Sequence, residues 1–462
     1  MTSPDSSNSP IEAAYRERTA RSSERAQQAR EIFPSGLVHD ARKLSPYPIY
    51  VERAKGARKW DVDGNEYVDY YGGHGALILG HAHPQMLKAT HAQLELGTHY
   101  GACHDLEMAW GERIQKLVPS AERVRFTSSG TEANLLAIRL ARAHTGRSKL
   151  LRFGGHFHGW QDHVAFGVDS HFDGSATPGV LAGIADNVIL ADSQDVEATI
   201  ALLHSEDDIA AVILEPTGGS FSALPLHEDM LDALRKTTAE RGIVLIFDEV
   251  VTGFRVAANG AQGYYGVTPD LTSFAKIVAG GLPGGCIAGA KRILDHLDFE
   301  VCAARGIEKV GHQGTYNANP VCAASGIAAL DTLVAEDACA AASRGAQRLR
   351  DGANRLFAQQ GLNWACYGTH SAFYFFVNPD GAELDHGALA PHDWGIDAIK
   401  RSSKAPVTNK LRLALMVEGV DMSGKPGGLV SAAHTDADID FTVSALARAL
   451  ERLSAERELP QG

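Results

Sequence analysis

VLIFDEVVTGFRVAANGAQGYYGVTPDLTSFAKIVAGGLPGG, residues 244–285, carries the two features that decide the fold. It opens on a short apolar run, residues 244–247, that ends in two carboxylates, Asp248 and Glu249. Further on, Lys276 stands alone among Phe274, Ala275, Ile277 and Val278, ahead of the glycine-rich GGLPGG. A short continuous apolar run between turn residues has the character of a buried strand in a parallel sheet. A charge at the end of such a strand falls where open α/β sheets bind ligands. A buried carboxylate or ammonium is costly unless it is paired or shifts its pKa, so Asp248 and Lys276 both call for a partner.

Outward from this stretch, further apolar runs alternate with amphipathic helical segments. Candidate strands lie at residues 124–126, 149–153, 188–190, 211–214 and 286–289, which predicts an α/β fold with a parallel or mostly parallel sheet covered by helices. Residues 11–33 read as an exposed helix, and residues 48–71 as a small antiparallel sheet around the turn Asp63-Gly64-Asn65. The segment GGHGALILGHAHP leads into another helix, with His81 and His83 in its entry turn. A long helical stretch is expected over residues 320–360. Strand-like alternation follows over 364–376 and 410–432, and a closing helix over 436–453. The boundaries predicted are an N-terminal segment at 1–75, a large domain at 76–335 and a C-terminal minor domain of α+β type at 336–462.

At 462 residues the chain is too long for one simple core. A hydrophobic share of 44% and a charged share of 21% are those of a globular protein in water. The formal charge of -13 argues against nucleic acid or an anionic membrane surface as partner. Six cysteines without a CxxC pair read as reduced thiols, and no apolar run reaches membrane length. The Ser/Pro-rich start, MTSPDSSNSP, lacks a secretory core and reads as disordered, so a cytoplasmic location is expected.

Three further stretches bear on chemistry. Ser128-Ser129-Gly130-Thr131, after the run VRF, is a small polar loop feeding a helix, suited to a phosphate; the plainer reading makes Thr131 an ordinary helix cap. In GGHFHGWQDH, Phe157 can lie over a flat heteroaromatic ring with His158 behind it. A metal bound by His156, His158 and His163 is the rival, but no carboxylate follows at a regular spacing, and no metal is predicted. Desolvation of Lys276 would lower its pKa toward what bond formation with an aldehyde requires. Pyridoxal 5'-phosphate satisfies both ends: its ring nitrogen meets Asp248 and its aldehyde meets Lys276. Taken singly, Asp248 could instead cap a helix and Lys276 could be an exposed lysine.

SSGTEA, HFHG, LEPTGG, DEVVTGFR, SFAKIVAGGLPGG and GTYNANP together resemble the class III aminotransferases, pyridoxal phosphate enzymes of fold type I, across nearly the whole chain. Within that class, FRVAANGAQGYYGVTPDLT and TPGV resemble the glutamate-1-semialdehyde aminomutase branch. YYGGHGALILGHAHP, DSHFDG, HQGTYNANP and KLRLALMVEGVD resemble more closely the aminotransferases of D-phenylglycine. The resemblance implies a large domain with a mostly parallel seven-stranded sheet and a small α+β domain built from both chain ends. It makes Lys276 the residue bonded to the cofactor and Asp248 the partner of the ring nitrogen. Ser129, Gly130 and Thr131 would hold the phosphate, Phe157 and Val250 would cover the two ring faces, and Glu215 would sit near the ring. Thr315 would reach the phosphate of a second subunit, implying a homodimer with shared active sites, and Arg42 would receive a substrate carboxylate.

The chain departs from the aminomutase pattern where it has His74 in place of a tryptophan and Phe157 in place of a tyrosine. It also reads SGKPGGLVSAAHT, with Lys425, near where that pattern has a glutamate. His74 and Lys425 are therefore candidate substrate contacts. Ping-pong transfer between an aromatic amino acid and a 2-oxo acid such as 2-oxoglutarate is the expected activity. The alternatives are the aminomutase reaction, another amino-acid or beta-amino-acid transaminase of the class, a catalytically inactive relative that keeps the fold, and a histidine-based metal hydrolase.

Overall fold

The computed structural model describes residues 9–385 and 389–459, and the chain forms two compact units. Residues 1–8, most of the segment expected to be disordered, lie outside the described part. One unit comprises Gly75–Leu77 and Pro84–Cys339. The other comprises Met1–His74, Ile78–His83 and Ala340–Gly462.

The strands, in chain order, are β1 (Val51–Lys55), β2 (Arg58–Asp61), β3 (Glu66–Asp69), β4 (Arg123–Thr127), β5 (Lys149–Phe153), β6 (Val188–Ala191) and β7 (Ile209–Leu214). They continue with β8 (Val244–Asp248), β9 (Leu271–Ala275), β10 (Gly285–Gly289), β11 (Ala365–Tyr367), β12 (Ala372–Phe376), β13 (Val420–Asp421) and β14 (Gly427–Leu429).

The first unit is built on a seven-stranded sheet of order β4-β10-β9-β8-β7-β5-β6. Neighbours from β9 to β6 run parallel, and β10 lies antiparallel to both β4 and β9. β4 therefore points the same way as the parallel set, and the loops that leave β4, β7, β8 and β9 emerge at one edge. Every residue of β7, β8, β9 and β10 is buried, so helices must cover both faces. On one face Val244, Ile246, Ile213 and Leu271 pack with Ala133, Leu136 and Ala137 of the helix Gly130–Thr145. On the other, Leu245, Phe247, Val212 and Leu214 pack with Leu203, Met230 and Leu234. The fold is α/β with a large, mostly parallel sheet, as the sequence predicts.

β9 escapes a reading based on apolar runs because LTSFA is polar at its centre. Those polar groups are satisfied internally: Thr272 Oγ1 accepts Gln262 Nε2 at 3.1 Å, and Ser273 Oγ donates to Asn134.

The second unit holds a four-stranded sheet, β1-β2-β3-β13, and a three-stranded sheet, β11-β12-β14. The turn at Asp63-Gly64-Asn65 joins β2 to β3, with the Asp61 carboxylate accepting the backbone N–H groups of Asp63 and Asn65. Three expectations need correction here. The helical reading of 11–33 resolves into Pro10–Arg18 and Ala20–Arg30, and it is not wholly exposed: Ile11 and Tyr15 are buried, and Tyr15 donates to Tyr47 O at 2.8 Å. The stretch 320–360 is two helices, Pro320–Ala335 and Ala338–Gln359, interrupted at Asp337 with φ 48°. Much of 410–432 is helix: Pro406–Val417 buries every residue from Leu411 to Val417. A helical segment buried all round, as residues 411–417 are, has no polar stripe, so LRLALMV mimics strand alternation.

Candidate active site

Side chains alternate along a strand, so Asp248 continues the face of Val244 and Ile246 and points toward the helix Gly130–Thr145. There Asp248 is 3% exposed and is held at both oxygens. Asn134 Nδ2 donates to its Oδ2 at 2.8 Å, His158 Nδ1 lies 2.7 Å from the same oxygen, and the Val250 N–H reaches Oδ1 at 3.0 Å. Asn134 is held in turn by Ser273 Oγ at 2.5 Å and donates to His158 O at 3.0 Å. Ser273 is the parallel neighbour of Asp248 in the sheet. The carboxylate is thus fixed from the helix, the adjacent strand and the loop after β5.

Glu249, one residue on, projects to the opposite side and serves structure. Its buried carboxylate accepts the N–H of Ala261 (2.6 Å) and of Gln262 (3.2 Å), Gln262 Nε2 (3.0 Å) and Thr252 Oγ1 (3.1 Å). Burial nevertheless raises its pKa, against those hydrogen bonds. The two acids adjacent in sequence have separate uses.

Lys276 follows β9 directly and adopts φ 57°, a left-handed conformation that costs a residue with a Cβ about 1 kcal/mol or more. Burial lowers its pKa below the ordinary lysine range, against the pull of the Asp248 and Glu215 carboxylates, and Arg255 lowers it further. The amine is therefore available for chemistry at a lower pH than on an exposed lysine.

The loop after β4 reaches the same edge: in the register of β10, Gly285 pairs with Thr127 on one side and Ala275 on the other. Ser129, not Thr131, is the helix cap; its Oγ accepts the Glu132 N–H at 3.2 Å. Gly130 and Thr131 occupy the first turn, where backbone N–H groups have no intrahelical acceptor and the helix dipole favours an anion. Packing here is close. A Cβ on Gly130 would come 2.7 Å from Val250 Cγ2, and one on Gly159 would come 2.6 Å from Thr131 Oγ1.

Phe157 is half exposed, whereas His158 is fully buried. Glu215, just beyond β7, sets the loop that carries them. Its Oε1 accepts the N–H groups of Phe157 and Ser220, both at 2.9 Å, and its Oε2 accepts that of Phe221 at 3.0 Å. Burial, then the nearby Asp248, raises the Glu215 pKa. The three histidines of the rival metal reading have separate uses: His156 Nδ1 accepts the Glu215 N–H, His158 meets Asp248, and His163 Nε2 lies 2.9 Å from Arg142 Nη1. Among the described residues no cluster of three His, Cys, Asp or Glu side chains suits a metal ion.

The structure therefore gathers Asp248, His158, Glu215, Val250, Lys276, Ser129, Gly130 and Thr131 at one sheet edge, with Phe157 in the adjoining loop. Asn134 and Ser273 belong to the same network without having been singled out from sequence. The available signal was an Asn one helical turn after Thr131, on the face of Ala133 and Ala137. Thr315 is exposed in the loop before Pro320. Arg42, His74 and Lys425 lie in the other unit. Arg42 closes the short turn Asp40–Arg42, His74 has φ 57°, and exposed Lys425 sits in the loop between β13 and β14, where its carbonyl accepts Ser423 Oγ at 2.6 Å.

Fold and site together define a fold type I transferase. More narrowly, the chain belongs to the family Aminotransferase class-III, whose pattern matches residues 40–363. It is 35% identical over 448 residues to glutamate-1-semialdehyde 2,1-aminomutase of Methanopyrus kandleri, covering 95% of this chain and 99% of that protein. Among solved structures it is similar to an omega-transaminase from Sphaerobacter thermophilus, with a TM-score of 0.84, 30% identity and coverage of 96% and 99%. It is also similar to a transaminase with PLP bound, with a TM-score of 0.83, 32% identity and coverage of 95% and 99%.

Proposed function

We propose that this chain is a pyridoxal 5'-phosphate-dependent aminotransferase that moves an amino group between an aromatic amino acid, of the D-phenylglycine type, and a 2-oxo acid such as 2-oxoglutarate. The observation that carries the cofactor assignment is the convergence of Lys276, with its lowered pKa, and Asp248 with the open first turn at Ser129–Thr131. When bound, the cofactor supplies an electron sink for the bond broken at the substrate carbon.

The chain's own residues do the rest. Lys276 Nζ holds the cofactor and, once released, takes the alpha proton and returns one. Asp248 keeps a negative charge against the ring nitrogen, with Asn134, His158 and the Val250 N–H fixing its two oxygens. Ser129, Gly130 and Thr131 receive the phosphate, and Phe157 and Val250 bound the ring. Glu215 sets the Phe157 backbone. Arg42 takes a substrate carboxylate, with His74 and Lys425 as neighbouring specificity contacts, and Thr315 serves the site of a second copy in a homodimer. The motif resemblance supports the aromatic substrate, and His74 is a departure from the aminomutase pattern.

The second reading is glutamate-1-semialdehyde 2,1-aminomutase, supported by the name of the relative from Methanopyrus kandleri. Two assays on the holoenzyme separate them. L-Glutamate with benzoylformate should yield D-phenylglycine by chiral chromatography, and glutamate-1-semialdehyde should yield no 5-aminolevulinate. The reverse pattern replaces the first reading with the second. Absence of both products with the cofactor bound leaves another transaminase of the class.

A further inference from the structure

Within the second unit, four residues close a ring around the backbone that leads into Arg42. His39 Nδ1 accepts the Ala41 N–H at 3.1 Å, capping the short turn Asp40–Arg42. The Tyr71 hydroxyl donates to the carbonyl of the same residue, Ala41. His39 stacks on His74, with ring centroids 4.4 Å apart and planes at 22°. Tyr71 meets the other side of His74 edge-on, at 4.8 Å and 83°. The His74 backbone is left-handed, φ 57°, and so is Gly73, which turns the imidazole into the gap between the two rings. Both backbone groups of Ala41 are thereby pinned, and the Arg42 N–H donates to His39 O at 3.0 Å.

We infer that His39 and Tyr71 are positioning residues for Arg42. They fix the turn that presents its guanidinium and brace that turn against His74, so that carboxylate recognition depends on residues that do not touch the substrate. This rests on the reading of Arg42 as the carboxylate receptor. An exposed arginine on an unbraced turn would lose side-chain and backbone freedom on binding, and a preorganised one loses less.

The test uses the holoenzyme and spectral titration with L-glutamate and with D-phenylglycine, each beside its own 1-carboxamide. The quantity read is the preference for acid over amide. Arg42→Ala should abolish it. His39→Ala, His39→Phe and Tyr71→Phe should each reduce it about fivefold, the size of a lost turn cap, with the change in the constant for the acid and not the amide. His39→Asn, which retains an acceptor for the Ala41 N–H, should recover part of the loss. Adding His39→Ala to Arg42→Ala should change nothing more. If Arg42→Ala abolishes the preference while the His39 and Tyr71 variants retain it, the positioning role is overturned and the Arg42 reading stands. If wild type shows no preference, or Arg42→Ala leaves it intact, both fall.

Discussion

Asn134 donates to Asp248 across 2.8 Å, tying the first turns of a helix to the end of a strand 114 residues away. With His158 on the same carboxylate oxygen and the Val250 N–H on the other, Asp248 has little freedom to rotate. Its position and charge are thus separable. Asp248→Asn keeps the shape but removes the charge and sets an amide NH2 against one of the donors. We expect a folded protein, a stability loss of about 1–2 kcal/mol, and turnover lowered about 10²–10³-fold. Steady-state turnover at saturating substrate is the check, and near-wild-type turnover would refute the assigned role.

Lys276→Ala removes the amine but keeps the Cβ, so φ 57° costs the variant as much as wild type. Multiple turnover should vanish. Borohydride should fix the cofactor to the wild-type chain, on the peptide that contains Lys276, and leave the variant unlabelled in peptide mass spectra. Label recovered on another lysine would displace Lys276 from its role. Because burial outweighs the attraction of Asp248 and Glu215, an unpaired ammonium is costly here. The apoprotein of Lys276→Met, which fills the same volume without charge, should melt no lower than wild-type apoprotein at neutral pH.

Gly130 touches Val250 so closely that a methyl group has no place: the nearest carbon would be 2.7 Å away. Gly130→Ala must therefore displace either the helix start or the Val250 side chain, at a cost of about 1–3 kcal/mol. If this contact sets the phosphate-binding turn, the variant should also bind the cofactor more weakly, by about tenfold or more in a fluorescence titration. Unchanged cofactor affinity together with a lowered melting temperature would limit Gly130 to packing.

Much of this edge is legible in the chain because strand ends announce themselves. The run VLIF followed by Asp248, VRF followed by Ser128-Ser129-Gly130, and the lone Lys276 each break a local rule in a way that burial makes expensive. What the chain hides is direction. Asp248 and Glu249 are adjacent acids of similar appearance. Only strand alternation, with the helix Gly130–Thr145 on one face, separates the site carboxylate from the one that binds Ala261, Gln262 and Thr252. Asn134 and Ser273 are hidden for the same reason, since a polar residue inside a helix or strand is legible only once its partner is known. In the helix Pro406–Val417 the uniformly buried half, residues 411–417, lacks the period a helix normally shows.

The second unit buries a charged cluster that predicts its behaviour in acid. Lys59 Nζ lies 2.8 Å from Asp69 Oδ1 and 2.6 Å from Asp421 Oδ2, and His81 Nε2 lies 2.6 Å from Asp69 Oδ2. Burial alone would raise the Asp69 pKa, but the Lys59 ammonium and the His81 hydrogen bond outweigh it and hold the carboxyl well below the usual range. A carboxyl whose folded pKa lies below its unfolded one binds fewer protons when folded. Its contribution is complete above the unfolded value, near pH 4, and is lost as the pH falls through the folded one. Asp69→Asn should therefore cost about 3 kcal/mol at pH 7, where Lys59 keeps only Asp421. The gap to wild type should begin to narrow as the pH is lowered from 5 toward 3 and close only at lower pH still, because wild type then loses what the variant already lacks. Denaturant melts at several pH values measure it. A gap that stays constant across that range would show that Asp69 acts through shape and not through charge.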